Sequence, residues 1–521
     1  MRGTTIDQQR IRITADPMTL GEVLAVANGA RVELTTGALD TIKRSRDIVD
    51  AAIERGDAIY GVTTGVGHAR NQRLPVEVLD AMQPMLVEMH LGAMGEPLPT
   101  ELVRAGMVVR LNGFARGGAG VSLDVAGGLE ALLNHDLHPI IPRTGSAGSG
   151  DLGQLALLGR ALLGRGVVEQ SGAQVPAADA LRDAGLAPVT LRPKDALAII
   201  SSNALTVGHG IALWQAVGDL LALADLVAAT SMEAIGVNPS FYDAAVSSGR
   251  GSRGQEETAS NLREALTGSS RVDAATAASV QDPISFRVVP QVHGACRDVL
   301  AAMAENLVKE LNAKSDNPMV DLDSERLLTN GNFHAMNIAL SAESMNLALA
   351  HIGLLSERRC GQLWDAVVSS FGADPDGEAQ PPRIGEAMPP FLAGLALRYP
   401  AAARYTRLRQ LAQPVTLDVP ALDLSFEDHA TNASEALWVT SEIVEIVSEI
   451  LTVETLIAYA RLFTSGPGER LGARTGRLVD HVGEQLGNLP MGTLPDETHT
   501  RVAESITNNI GHILAGGIAD V

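Results

Sequence analysis

Aromatic side chains are scarce in this sequence of 521 residues, where Phe, Trp and Tyr together make up 3%. Strands of β-rich proteins favour aromatic and β-branched residues, so the scarcity argues against a sandwich or a barrel. Hydrophobic residues nevertheless reach 45%, which is enough for a large core. Because Ala, Leu, Val and Gly dominate the composition, it favours closely packed helices and predicts an all-α fold.

Cysteine is nearly absent, since the chain has only Cys296 and Cys360. The two residues show neither paired spacing nor neighbouring metal-ligand residues, which excludes a disulfide framework and a cysteine-based metal site. We therefore expect free thiols in a reducing compartment and no metal.

Positive charge is in deficit, with 40 Lys and Arg against 61 Asp and Glu and a net charge of −21. A chain this acidic repels nucleic acid and anionic membranes. The segment from Met1 to Asp16 lacks an apolar signal core, and no uncharged apolar run reaches the length of a membrane span. We expect a cytoplasmic protein that binds neither nucleic acid nor membranes.

Long helical patterns are present in the second part of the chain. They are predicted over residues 203–230, 292–311, 335–358 and 433–463. The last is the clearest, because Ile443, Ile446 and Val447 begin an apolar face opposite Glu442 and Glu445. A bundle of such helices has more apolar surface than one chain can bury, so we expect a helical homo-oligomer.

No linker or repeat divides the chain. Gly and Pro are frequent before residue 200, which predicts a loop-rich N-terminal region over residues 1–200. Residues 201–521 are predicted to form the central long-helix bundle and C-terminal helices, with the whole chain one compact unit. Residues 236–253 and 372–390 are predicted loops.

The most informative stretch is Thr144-Gly145-Ser146-Ala147-Gly148-Ser149-Gly150-Asp151-Leu152. Glycine on both sides of Ser149 allows backbone conformations that side chains forbid. One interpretation is a flexible turn in which Asp151 caps the following helix. The other is a segment whose own backbone becomes the reactive group.

Several further segments resemble, in order along the chain, those of the histidine, phenylalanine and tyrosine ammonia-lyases. They span residues 21–463, and their motifs are Tyr60–Gly67, His90 with Gly95–Leu98, Thr144–Leu152, Gln281–Val292, Asn312 with Asp316–Pro318, Gly331–His334, Ser356–Arg359 and Glu427–His429. The resemblance implies an all-α fold with a loop-rich N-terminal active-site region beside a long central helix bundle. It also implies a homotetramer with shared active sites.

The resemblance further implies a built-in electrophile, 4-methylidene-imidazol-5-one (MIO), formed autocatalytically from Gly148, Ser149 and Gly150. Elimination of ammonia from an amino acid expels a poor leaving group. A covalent bond between the amine and an electrophile makes the amine a better leaving group. Gly150 suits ring closure because its amide must approach a carbonyl two residues back. The N-terminus of the following helix would favour negative charge on the ring.

Tyr60 is the candidate general base at the β-carbon. A phenol has an ordinary pKa near 10, so an electropositive field would have to lower its pKa for work near neutral pH. The alternative is a buried aromatic in a turn.

The other site residues follow from the matched motifs. Arg287 would hold the substrate carboxylate in a bidentate pair, with a structural ion pair to Asp282 as the alternative. His90 and Glu427 would select the substrate, favouring imidazole or phenol rings, and Glu427 resembles the histidine-type members. Phe333 would pack near the prosthetic ring or fill the core.

The sequence departs from the family in four places. The reactive loop has its glycines displaced, with Gly148 before the serine and Gln154 where proline is usual. Ile284 replaces a tyrosine, Ser201 falls at the position of an asparagine, and Phe426 replaces a glutamine. Asn203 could supply the missing amide, although helical geometry would point it elsewhere. Ile284 makes the substrate pocket more apolar.

Three functions are therefore compatible with the sequence. The first is an ammonia-lyase acting on an L-α-amino acid with a ring side chain, histidine or tyrosine first, to give the α,β-unsaturated acid. The second is an aminomutase that returns the ammonia to the β-carbon. The third is an inactive or atypical family member that only binds a small molecule or a partner. The signature of the fumarase and aspartase group is missing, which argues against that family.

Overall fold

The computed structural model describes residues 10–275, 277, 279–370, 389–417, 419–465 and 469–514. Two compact units interleave along the chain. The first is drawn from the described residues of Met1–Trp214, Met303–Ala342 and Val415–Trp438, and the second from those of Gln215–Ala302, Glu343–Pro414 and Val439–Val521. Because the units interleave, the predicted division at residue 200 remains a prediction.

Helices dominate the described residues, in agreement with the all-α prediction. The α-helices are α1 Leu20–Ala27, α2 Thr36–Glu54, α3 Leu79–Met89, α4 Thr100–Ala115, α5 Leu123–Asn134, α6 Leu152–Leu162, α7 Ala177–Asp183, α8 Asp195–Ile200, α9 Ala204–Ile235, α10 Ala244–Ser248, α11 Arg253–Ala265, α12 Ile284–Arg287, α13 Val289–Leu311, α14 Met336–Ser370, α15 Ala393–Leu411, α16 Ala433–Thr464, α17 Ala473–Gly487 and α18 Pro495–Leu514. The region predicted as loop-rich thus contains several helices as well as the site loops.

Short strands form four small sheets among the described residues of the first unit. The strands are β1 Arg10–Ile13, β2 Arg31–Leu34, β3 Met94–Pro97, β4 His138–Pro139, β5 Pro142–Thr144, β6 Val167–Gln170, β7 Ala173–Pro176, β8 Met319–Asp321 and β9 Arg326–Leu328. β1 and β2 are parallel, while β3–β5, β4–β6–β7 and β8–β9 are antiparallel. The β3–β5 pair matters most, because Met94 lies opposite Thr144, where the serine loop begins.

The long helices agree with the sequence patterns to within a few residues at most ends. The exception is α14, predicted to end at residue 358 and observed to continue to Ser370. Beyond residue 358 the chain continues with Arg359, which is fully buried and forms an ion pair with the buried Glu454. Glu357 likewise pairs with Arg398 at 2.7 Å. The helix therefore continues because its charges have partners.

The pattern of α16 predicts its packing within the second unit. Ile443, Ile446 and Val447 are fully buried. On the opposite face, Glu442 accepts a hydrogen bond from Arg407 at 2.9 Å, and Glu449 accepts one from Arg404 at 2.9 Å. One helix face thus builds the core while the other binds arginines of α15.

The first of the two predicted loops is partly helical. Within residues 236–253, Pro239–Tyr242 forms a 3₁₀ turn and α10 follows, because the side chains of Asn238 and Asp243 accept hydrogen bonds from the first backbone amides of each. Of the other predicted loop, 372–390, only residues 389 and 390 lie within the described residues.

Two segments, Asp195–Ile235 and Met336–Ser370, are long and apolar enough to meet a membrane-span criterion of length and hydropathy. In the most apolar 18-residue stretch of each segment, 61% and 50% of the stretch is buried within the protein. Core helices of proteins without a membrane meet the same criterion, so length and composition alone carry little weight.

Candidate active site

The serine loop joins β5 to α6, and its two flanking glycines both have left-handed backbone conformations. Gly148 and Gly150 each have φ of +93°, a region that residues with a Cβ rarely adopt. Gly148 and Gly150 are buried, whereas Ser149 is half-buried and its Oγ donates to the His429 carbonyl at 3.3 Å. The loop is therefore a defined turn rather than a flexible linker.

Hydrogen bonds hold the loop from inside. The amide of Gly148 donates to Ser146 Oγ at 3.1 Å, and that hydroxyl donates to the Gly150 carbonyl at 3.0 Å. Ser146 thus brings the backbone groups on both sides of Ser149 to one side chain.

Gln154, which stands where the related enzymes have proline, also supports the loop. Its Nε2 donates to the carbonyls of Pro142 at 2.8 Å and Arg143 at 3.0 Å, and the side chain is 3% exposed. These carbonyls belong to β5, so the replacement ties the first turn of α6 to the strand that leads into the loop.

Asp151 does not cap α6 with its side chain, contrary to one interpretation of the sequence. Instead its carboxylate accepts hydrogen bonds from the Thr206 amide at 2.9 Å and the Thr206 hydroxyl at 2.7 Å. Burial raises the pKa of Asp151, while these donors oppose the rise. Asp151 therefore satisfies the N-terminus of α9, the next long helix, and links it to the serine loop.

The residues present fit a ring formed from Gly148, Ser149 and Gly150. A Cβ at position 148 would lie 2.2 Å from Thr431 Oγ1 and 2.5 Å from the Asn432 amide nitrogen, so only glycine is accommodated there. Thr431 Oγ1 donates to the Gly148 carbonyl oxygen at 2.9 Å. In ring closure the Gly150 nitrogen would attack the carbon of this carbonyl, which the buried hydroxyl of Thr431 already polarises.

Two cavities of the first unit, of about 420 Å³ and about 720 Å³, meet at this loop. Their walls share Tyr60, Ser149, Leu152, Leu197 and Glu427. Ser201 and Phe333 line the smaller cavity, while His90, Gly150 and an apolar wall that includes Met82, Met85 and Met89 line the larger one. Five elements that lie far apart in sequence therefore surround these two adjoining cavities. They are the serine loop, Tyr60, His90, Phe333 and Glu427.

Tyr60 is in a different electrostatic environment from the one its role as a base requires. Burial raises its pKa, and the nearby Glu427 and Asp423 carboxylates add to the rise. The Gly67 amide donates to its hydroxyl oxygen at 3.0 Å and opposes the rise. The charge of Arg70 also lowers its pKa, but burial and the two carboxylates outweigh these effects, so the net shift is upward and the phenol is protonated near neutral pH.

Glu427 is presented by a tight hairpin. The amides of Leu422 and Glu427 donate to each other's carbonyls at 2.8 and 3.2 Å. Between them Asp423, Leu424 and Ser425 have successive φ values of +46°, +56° and +62°. Such non-glycine conformations cost about 1–3 kcal/mol each and cluster at functional sites. Burial first, and the Asp423 charge second, raise the pKa of Glu427.

His68 and Asp423 join this hairpin, which we call the 422–427 hairpin, to the tyrosine loop. The Nδ1 of His68 lies 2.7 Å from Asp423 Oδ1, and the His68 amide donates to Oδ2 at 2.8 Å. These contacts lower the pKa of Asp423. The sequence interpretation gave His68 no functional weight and missed Asp423 and Thr431. The sequence held no signal for them, because their partners His68 and Gly148 lie 355 and 283 residues away along the chain.

His90 ends α3 and faces the larger cavity. Its Nδ1 lies 2.7 Å from the Leu86 carbonyl, which can only accept, so Nδ1 carries the proton. With Nδ1 engaged by this carbonyl, Nε2 is the ring nitrogen that is left for a hydrogen bond with a substrate.

Asn203 does not line either cavity within the described residues. Its Nδ2 donates to the Phe333 carbonyl at 2.7 Å, and the residue is 4% exposed. This geometry does not support the substrate contact predicted for Asn203. The side-chain amide of Asn203 instead holds the backbone of Phe333 in place. Ser201, at the position of the family asparagine, lines the smaller cavity.

Arg287 and Ile284 belong to α12 of the second unit. Arg287 Nε donates to the backbone carbonyl of Asp282 at 2.9 Å, whereas the Asp282 carboxylate accepts from the Asn238 amide. Arg287 therefore contacts the main chain of Asp282 and does not form the ion pair with its carboxylate that was the alternative prediction. Arg359 donates to the Ser285 carbonyl at 3.3 Å and so anchors α12, while Ile284 is 59% exposed.

An Asp423→Asn variant is expected to shift the acid limb of the kcat/KM profile to lower pH. The substitution removes the charge that raises the pKa of Glu427, so the Glu427 carboxylate persists to lower pH, and Asn tolerates the left-handed backbone. The pH profile of the variant is compared with that of Asp124→Asn, an exposed position on α5. A limb that stays in place or moves upward contradicts the electrostatic coupling.

Comparison with known proteins agrees with this arrangement. The aromatic amino acid lyase family matches residues 18–484. A histidine ammonia-lyase of Symbiobacterium thermophilum is 33% identical over 483 residues, covering 91% of this chain and 92% of that relative. The chain belongs to the aromatic amino acid lyase family, which places it among the carbon–nitrogen lyases.

Solved structures are similar over the same range. An ergothioneine-degrading enzyme of Treponema denticola, in complex with desmethyl-ergothioneine sulfonic acid, has a TM-score of 0.88 at 26% identity, covering 96% of this chain and 99% of that one. A tyrosine aminomutase of Streptomyces globisporus has a TM-score of 0.86 at 25% identity, covering 97% and 98%. The fold is therefore shared by enzymes of different outcome.

Proposed function

We propose that this protein is an MIO-dependent ammonia-lyase that eliminates ammonia from an L-α-amino acid with a ring side chain, histidine or tyrosine first. The observation that carries the proposal is the geometry of the serine loop. The loop has two glycines with left-handed backbone conformations, and the Gly148 carbonyl accepts a hydrogen bond from Thr431. Ser149 lines the same two cavities as Tyr60 and Glu427. The product is the α,β-unsaturated acid. The names of the histidine ammonia-lyase relatives support this substrate class.

Gly148, Ser149 and Gly150 would form the MIO group, which supplies an electrophile for the substrate amine. Tyr60 is proposed to take the β-proton. Its raised pKa then makes activity increase from neutral to alkaline pH, because only the phenolate is a base. Glu427 and the Nε2 atom of His90 are proposed to orient a polar ring in the larger cavity, while Phe333 lines the smaller cavity.

Arg287 is proposed to bind the substrate carboxylate in a homotetramer with shared active sites. Exposed apolar side chains on the long helices support assembly, since Val308, Leu340 and Leu347 are 41%, 53% and 56% exposed. Light scattering of the purified protein tests the tetramer, and a monomer at working concentration contradicts it.

We further propose a cytoplasmic location without nucleic acid or membrane partners. The buried thiols Cys296 and Cys360 are consistent with it, and cell fractionation tests it.

Ammonia release measured over the standard amino acids tests the activity. We expect release from L-histidine or L-tyrosine together with an unsaturated product that absorbs in the ultraviolet. A β-amino acid without free unsaturated acid would instead show an aminomutase, as in the similar Streptomyces enzyme. No turnover of any amino acid, with tight binding of one, would show an inactive binding protein.

Ergothioneine is included in the same substrate panel. The similar Treponema enzyme supports this choice, and Phe426, which replaces the family glutamine, lines the smaller cavity. Loss of ergothioneine without turnover of histidine or tyrosine would contradict the proposed substrate class.

A further inference from the structure

A buried threonine contacts the carbonyl group on which the self-processing of the serine loop depends. Thr431 is fully buried, and its hydroxyl donates to the Gly148 oxygen at 2.9 Å. It lies outside every motif that pointed to the family. We propose that Thr431 is the hydrogen-bond donor that activates Gly148 for ring closure. This inference rests on the proposed function, because it concerns the formation of the MIO group.

The chemistry of ring closure needs a donor at this oxygen. The Gly150 nitrogen bonds to the Gly148 carbonyl carbon, and the carbonyl oxygen gains negative charge as its double bond opens. That oxygen leaves as the first water with the amide hydrogens of Gly150 and Ser149. The Ser149 hydroxyl leaves as the second water with the hydrogen of its own Cα. No oxidant or other reactant is required, so the protein has only to stabilise the charge on one oxygen.

The hydrogen of the Thr431 hydroxyl is directed at that oxygen by its other contact. The Ala433 amide donates to Thr431 Oγ1 at 3.3 Å, which occupies the acceptor side of the hydroxyl. The hydroxyl hydrogen is left for Gly148. Because both residues are buried, a single donor has a larger effect than it would in water.

The backbone around Thr431 is fixed against the loop. The Asn432 amide donates to the Ala147 carbonyl at 2.9 Å, and the Asn432 side chain donates to the Val415 carbonyl at 2.8 Å. Helix α16 begins at the next residue, so its N-terminal dipole also favours negative charge near Gly148. The close approach of this segment requires Gly148 to lack a Cβ, which accounts for the glycine directly before Ser149.

The test compares Thr431→Val, which keeps the shape without the hydroxyl, with Thr431→Ser, which keeps the hydroxyl. Each full-length protein is produced identically, and its intact mass and near-ultraviolet absorbance are followed over time. We expect Thr431→Val to slow the loss of two waters by about 10²–10³-fold, the scale of removing one oxyanion donor. Thr431→Ser is expected to follow the wild type.

Folding is checked by circular dichroism. If Thr431→Val does not fold, Thr431→Ala removes the same hydroxyl with less bulk and takes its place in the comparison. Loss of two waters at the wild-type rate in the hydroxyl-free variant overturns the role of Thr431 alone. If the wild type itself loses no water, the proposed function fails, and the two failures are therefore distinguishable.

Discussion

A Ser149→Ala variant is expected to lose the near-ultraviolet absorbance of the wild type and its ammonia-lyase activity together. Alanine has no hydroxyl to eliminate, so the methylidene group cannot form. Removing a covalent catalytic group lowers kcat by about 10³-fold or more. With only 3 Trp and 5 Tyr, the chain has a weak absorbance band of its own, which makes the difference spectrum easy to measure.

Ser248→Ala is the matched control, because Ser248 is exposed at the end of α10 in the second unit. It should keep both absorbance and activity. Identical spectra for the wild type and Ser149→Ala would show that Ser149 forms no electrophile.

A Tyr60→Phe variant is expected to lower kcat by about 10²–10⁴-fold, the usual contribution of a general acid or base. The ring keeps its packing, but the hydroxyl that accepts from the Gly67 amide is lost. The KM should change much less than kcat, because the phenol acts on the β-proton rather than on substrate binding. Initial rates across substrate concentration and pH measure both parameters.

Tyr399→Phe serves as the control, since Tyr399 is 73% exposed. The residual activity of Tyr60→Phe should also lose the increase toward alkaline pH that the raised pKa of Tyr60 predicts. A variant that retains wild-type kcat and the same pH profile would assign the β-proton to another group.

The sequence was sufficient for the fold class, the long helices and the grouping of Tyr60, His90 and Glu427 around Ser149. The fold class and the helices follow from composition and local periodicity, and the grouping is what the resemblance to the ammonia-lyases implied. The helix end at residue 370 was not predictable in this way, because it depends on Arg359 meeting Glu454 from a distant helix.

Within the site, the sequence could not predict the electrostatics or the supporting contacts. The raised pKa of Tyr60 arises from burial and from two carboxylates about 360 residues along the chain. Asp151 resembles a cap for its own helix, yet it accepts from Thr206 on another. The displaced glycines are visible in the sequence, but the structural reason for Gly148 is not, because Thr431 and Asn432 from a distant part of the chain occupy the space that a Cβ there would need.

The intact mass of the wild-type chain is the most direct test of the central claim, that the serine loop converts itself into an electrophile. The account predicts a mass lower than that of the encoded sequence by two waters, with the loss located in a peptide that contains Gly148, Ser149 and Gly150. The Ser149→Ala chain should not show the loss of two waters. A wild-type mass equal to that of the unmodified sequence would contradict the account.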